Sequence, residues 1–190
     1  MVSKITILTL GSLLFIGCSS GSNNSSNGAN SSYTTSTNGM KLISNDITPG
    51  GNIDVDLTGD GTGESPHLKW SSIPPNTVGY AGIIDDPDAG NYVHWNFFIE
   101  DPNITELKRD VSGTANLPVN VYEGGGGNHK YNPPFPPGEK HKYRFCIYGV
   151  STTTNTGISL DSEYDNDTFP KDFESIITGS ACFMAFYSNK

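Results

Sequence analysis

The chain reads as an all-β domain, and three observations carry that prediction. Its 190 residues include 22 Gly and 12 Pro, with 34% hydrophobic and only 16% charged residues, a loop-rich balance that suits short strands better than a helical bundle. Apolar residues recur in short alternating runs bounded by turn residues. The prolines fall between those runs or at a late helix start, where they remove no ladder hydrogen bond. Regularly spaced short strands of this kind build a sandwich or a barrel, and the chain is long enough to bury one core with tails to spare.

Residues 1–18 have the pattern of an export signal. Lys4 supplies the positive start, and the apolar run that follows is about a dozen residues long, short of the ~20 that a spanning helix needs. The ending Leu14-Phe15-Ile16-Gly17-Cys18 resembles a bacterial lipobox, which implies lipid on Cys18, cleavage before it, and a membrane-anchored lipoprotein of the cell envelope. Residues 19–39 are nearly all Ser, Asn, Thr and Gly. Such a run buries too little apolar surface to offset its ordering entropy, which predicts a flexible tether. The folded domain is then residues 40–190.

Within that domain Ile53, Val55 and Leu57 alternate with Asp54 and Asp56, as in a half-buried strand. Residues 79–84 form an apolar run, and residues 93–99 and 143–150 are the clearest strands. In residues 93–99, period two puts Val93, Trp95, Phe97 and Ile99 on one face and His94, Asn96 and Phe98 on the other. Helical spacing appears only where Phe173, Ile176 and Ile177 follow Pro170, a good first-turn residue. Residues 181–187 return to strand composition.

Charge and cysteine content narrow the function. A net charge of −9 excludes a sequence-independent grip on nucleic acid, which requires clustered Lys and Arg. Any anion must be held by local geometry. Three cysteines are too few for a disulfide framework. Cys146 and Cys182 lie in predicted strands, and their spacing leaves both a disulfide and two buried thiols open.

Two blocks carry the candidate chemistry. In the first, Asp86-Pro87-Asp88 makes a tight turn and His94 follows in the next strand; in the second, a proline-rich turn delivers His141 and Tyr143 to the start of another strand. Each piece alone is ordinary turn or strand chemistry. Two proline-punctuated turns that each feed a histidine into a strand point to one shared pocket.

Together the blocks resemble the phosphatidylethanolamine-binding protein family, in its bacterial Raf-kinase-inhibitor-like (YbhB/YbcL-type) branch. The matching residues are Ser65-Pro66-His67-Leu68-Lys69-Trp70, Asp86-Pro87-Asp88-Ala89, His94-Trp95, and Tyr131 with Pro136-Pro137 and His141-Lys142-Tyr143, in the family's order over residues 40–190. Gly90 stands where the family usually has proline, and Lys142 where arginine is usual. The resemblance implies a Greek-key β-sandwich of antiparallel sheets with short peripheral helices near the C-terminus. It also implies a cis X-Pro bond at Asp86-Pro87 or Pro136-Pro137, and a non-catalytic pocket without cofactor or metal. Asp86, Asp88, His94, Pro136, His141 and Tyr143 would line that pocket, and a small phosphorylated anion or a phospholipid head group would occupy it.

Other readings of these residues are weaker. Two histidines and two carboxylates could serve a metal-assisted hydrolase, but no nucleophile motif or metal-binding helix accompanies them. A protein-protein inhibitor, as in eukaryotic relatives, would need a partner that the sequence does not name. Asp60-Gly61-Thr62-Gly63-Glu64 lacks the ligand ladder of a calcium loop. The glycine run of residues 124–127 has no following Gly-Lys-Ser/Thr, so it reads as a flexible turn rather than a phosphate loop.

Overall fold

The computed structural model describes residues 31–126, 128–160 and 164–189. Two antiparallel sheets face each other. The larger contains β1 (Thr34–Thr37), β4 (Gly79–Asp86), β5 (Tyr92–Ile99), β7 (Val121–Gly124), β8 (His141–Val150) and β9 (Ile177–Tyr187), in the order β1-β9-β8-β4-β5-β7. The smaller contains β2 (Lys41–Ile43), β3 (Leu68–Ser71) and β6 (Glu106–Leu107), in the order β2-β3-β6. Within the large sheet β4, β5 and β7 lie side by side, and β8 returns to pair with β4, which is a Greek key.

The main core fills the space between the sheets. Leu42, Leu68, Trp70 and Leu107 of the small sheet meet Tyr80, Trp95, Phe97, Phe145 and Phe183 of the large one. A second cluster covers the outer face of the large sheet, where Ile83, Phe98 and Tyr148 pack under Phe169 and Phe173. β4 is therefore buried along its whole length, which explains why residues 79–84 read as a continuous apolar run. Cys146 and Cys182 sit opposite each other in the β8–β9 register and are joined by a disulfide.

Several local expectations are corrected. Val55–Leu57 is a 3₁₀ turn, capped by Asp54, whose side chain accepts the Asp56 N–H; local side-chain bonding overrides the alternating pattern, and Val55 is exposed. The predicted C-terminal helix is one turn, α1 (Phe169–Asp172), and Ile177 already belongs to β9. Thr34–Thr37, expected in the tether, form edge strand β1 against β9, because the open edge of β9 offers them a ladder of hydrogen bonds. No cis peptide bond occurs among the described residues, including Asp86-Pro87 and Pro136-Pro137. Pro87 instead opens a 3₁₀ turn over Pro87–Ala89 that needs only the ring's fixed φ.

Candidate functional site

At one end of the large sheet, on its core-facing side, the strands open into a cavity of about 210 Å³. Asp86, His94, Pro136, His141 and Tyr143 line it, joined by Ala89, Tyr92, Asn132, Pro133, Phe135 and Pro137. Five of the six candidate residues therefore come together. Asp88 is not among the lining residues. Its Oδ2 accepts the Lys142 N–H at 2.8 Å and its Oδ1 lies 3.5 Å from Lys142 Nζ, so it clips the Asp-Pro-Asp turn to the start of β8 at the rim.

A β-bulge puts His94 in the cavity. The β4–β5 register runs Ile84 opposite Trp95 and then Asp85 opposite Val93, so His94 is the extra residue. Strict alternation is broken at that point: Val93 joins the outer cluster with Phe98, Trp95 stays in the main core, and His94 turns toward the cavity. The expected face shared by Val93 and Trp95 is thus corrected. The carbonyls freed by the bulge are used, since Val93 O accepts the Gly126 N–H at 3.1 Å and His94 O accepts the Asn132 N–H at 2.7 Å. A Cβ on Gly126 would come within 2.7 Å of the Asn132 side chain and 3.1 Å of His94 O. Gly125 and Gly126, expected in a flexible turn, are a close-packed brace for the bulge.

The opposite wall is the segment 131–137. Tyr131 pins it to the core, donating its buried hydroxyl to Leu57 O at 2.8 Å while its N–H donates to Ser112 Oγ at 2.8 Å. Ser112 in turn donates to Glu123, which also accepts the Trp95 indole N–H at 2.9 Å. Asn132 is thereby held in place, and its carbonyl accepts from His94 Nδ1 at 2.8 Å. Its side-chain amide donates to Tyr92 Oη at 2.8 Å, and the Tyr92 and Tyr143 rings flank His94 edge-on.

Asp86 is fully committed to positioning. One carboxylate oxygen accepts the N–H groups of Asp88 and Ala89 at 2.9 and 3.1 Å, and the other accepts from His141 Nδ1 at 2.7 Å. The turn it caps ends in Gly90 at φ 69°, followed by Asn91 at φ 61°. Proline cannot take a positive φ, which accounts for glycine at that departure from the family pattern. Behind the cavity, on the other face of the sheet, buried Asp85 accepts two hydrogen bonds from Arg144 and two from Asn166, and Arg144 also bonds Asp167. This network locks the ends of β4 and β8 together, next to Asp86 and Tyr143.

Burial dominates the electrostatics of the site. Burial holds the His94 pKa below the usual histidine value, against the opposing pull of the Asn132 carbonyl and Asp86, so its neutral form dominates at pH 7. Burial first, and then the Asp86 charge, push the Tyr143 hydroxyl well above the ordinary phenol range. Tyr143 is fully buried, and its hydroxyl meets no protein hydrogen-bond partner of ordinary geometry, although the Asp86 carboxylate is near enough to act on it. Among the described residues no group of three or more His, Cys, Asp or Glu is placed to hold a metal ion.

The model of the phosphatidylethanolamine-binding protein family matches residues 43–187. The chain belongs to this family. A UPF0098 protein of Methanothermobacter thermautotrophicus is 30% identical over 152 residues, covering 78% of this chain and 98% of its own length. One from Chlamydia muridarum is 30% identical over 118 residues, covering 58% and 76%. Among solved structures, Escherichia coli YbcL, described as a member of the mammalian family, superposes with a TM-score of 0.65 at 22% identity over 80% of this chain and 99% of its own. A family homologue from Chlamydia trachomatis gives 0.65 at 23% identity, over 81% and 100%. Both structural likenesses speak to the fold alone. The family's His67 is structural here: its Nδ1 accepts the Asn45 N–H at 3.0 Å, so Nε2 carries the proton and donates to Glu106 at 3.0 Å.

Cavity residues Tyr92 and Asn132 carry no distinctive signal in the sequence pattern, whereas Pro133 and Phe135 belong to a proline-rich departure from the family pattern at the rim. Tyr92 sits inside the first block and could have been flagged as an aromatic at a strand start. Asn132 acts mainly through its backbone, which no side-chain pattern announces.

Proposed function

We propose that the cavity is a binding site for a small phosphorylated anion, free or as the head group of a larger molecule, and that the protein binds this group without transforming it. One observation carries the reading: the Tyr143 hydroxyl is buried, unpartnered and faces a cavity flanked by two imidazoles. A buried hydroxyl left without a partner costs roughly 1–3 kcal/mol, and a ligand oxygen would relieve that cost. Both histidines use Nδ1 for protein contacts, which leaves Nε2 as the ring atom available to a ligand. At about 210 Å³ the cavity lies below the roughly 300–1,000 Å³ usual for drug-sized ligands, and suits a compact group. The exposed ring of Phe135 and the prolines around it give the mouth an apolar rim, on which the rest of a larger ligand could lie.

We further propose that Cys18 is lipidated and that the chain up to β1 tethers the domain to a membrane of the bacterial envelope. The support is the lipobox-like ending and the apolar run before it, both outside the described residues.

A thermal-shift titration tests the binding proposal. Phosphate or phosphorylethanolamine should raise the melting temperature in a concentration-dependent way, because a ligand of the native state stabilises it by mass action. Tyr143→Phe deletes only the unpartnered hydroxyl, so it should leave the ligand-free protein at least as stable while blunting the shift. No shift in the wild type at millimolar ligand would contradict the proposal.

A further inference from the structure

The hydrogen bonds around the cavity say more about the ligand than its charge. His94 Nδ1 faces a carbonyl and His141 Nδ1 faces a carboxylate. Both partners only accept, so both Nδ1 atoms must carry the proton. A neutral ring then has a lone pair at Nε2, and buried His94 offers the cavity an acceptor where an anion would want a donor. The sole side-chain hydroxyl on its wall without a partner is that of Tyr143. The remaining charges are spent elsewhere: Asp86 on His141 and the turn, Asp88 on Lys142 at the rim, and Asp85 on Arg144 across the sheet.

Resting on the binding function proposed above, the geometry points to a site selective for a phosphoryl group that carries a proton: the P–O–H donates to an imidazole Nε2, Tyr143 donates to an unprotonated oxygen, and a sulfate dianion of the same shape is rejected. Inorganic phosphate keeps a proton through neutral pH, and a monoester, whose second ionisation lies at about pH 6, regains one at modest cost. Sulfate can do neither. One of its oxygens would face the His94 lone pair, and burial opposes the protonation of His94 that would turn that atom into a donor.

Isothermal titration of the wild-type domain at pH 7.5 with inorganic phosphate, phosphorylethanolamine and sulfate, each in two buffers of different ionisation enthalpy, tests the inference. Phosphate and phosphorylethanolamine should bind about tenfold or more tightly than sulfate, the discrimination that one unmet acceptor pair supplies. Phosphorylethanolamine, mostly dianionic at that pH, should take up close to one proton per site. A tighter fit for phosphorylethanolamine than for phosphate would assign the group to a head group, and the reverse order to the free anion. Sulfate binding as tightly as phosphate, or the absence of proton uptake, would overturn the selectivity while leaving the binding function intact. Failure of all three to bind would overturn both. Asp86→Asn supplies a second test, because an amide N–H opposite His141 lets the ring take the other tautomer and present Nε2–H. The preference for phosphate over sulfate should then narrow, and a preference unchanged in the folded variant would also overturn the inference.

Discussion

His141 Nδ1 lies 2.7 Å from Asp86 Oδ2, across 55 residues of sequence and two neighbouring strands. The contact fixes the imidazole ring and its tautomer, and it commits Asp86 Oδ2 to the ring. Asp86 is a positioning residue, which resolves the difficulty of a buried carboxylate beside an anion site.

The buried His94 sets a pH limit on the ligand-free domain. Its folded-state pKa is lowered by burial relative to the unfolded chain, so the unfolded state takes up the proton first. This contribution to stability is complete above the ordinary histidine value of about 6.5 and is lost as pH falls through the lowered folded-state value. Urea melts between pH 8 and 5 should show the loss, and His94→Gln should reduce it.

The Cys146–Cys182 disulfide closes a sequence separation of 36 residues between β8 and β9. Its removal in the Cys146→Ser, Cys182→Ser double variant should lower the unfolding free energy by about 2–4 kcal/mol. Guanidinium melts of the wild type and the double variant read this directly. An unchanged midpoint would mean that the bond contributes nothing to the folded state.

Asp88 clips the turn to β8 through the Lys142 N–H, and an asparagine oxygen can accept the same bond. Asp88→Asn should therefore change the affinity for inorganic phosphate by less than about threefold, well under 1.4 kcal/mol. Weakening confined to phosphorylethanolamine would instead place the Asp88 charge against the ammonium of that ligand.

Cys18→Ala should move the protein from the membrane to the soluble fraction of the envelope, as read by fractionation and immunoblotting. Retention in the membrane fraction would require another anchor.

The positions that close the pocket were legible where side-chain chemistry recurs along the chain. Asp86, His94, Pro136, His141 and Tyr143 stand in proline-punctuated blocks, and the long strands β4, β5, β8 and β9 announce themselves through apolar runs. What sequence periodicity could not convey is the bulge at His94, because one extra residue in a ladder depends on the partner strand and not on composition. Asn132 was hidden because its carbonyl sets the His94 tautomer. The Asp54 cap and the open edge of β9 likewise decided the fate of Val55–Leu57 and Thr34–Thr37 through contacts that lie outside each segment. The Cys146–Cys182 bond followed from a register that spacing alone does not fix.

The central claim is that the two histidines hold the anion. Isothermal titration of inorganic phosphate into the wild type, His94→Ala and His141→Ala at pH 6.5 tests it most directly. A hydrogen bond that involves a charged group is worth about 1.5–3 kcal/mol, so removing either Nε2 partner of the phosphoryl group should weaken binding by roughly ten- to a hundredfold in a domain that still melts cooperatively. Equal affinities in all three proteins would contradict the account and put the anion elsewhere.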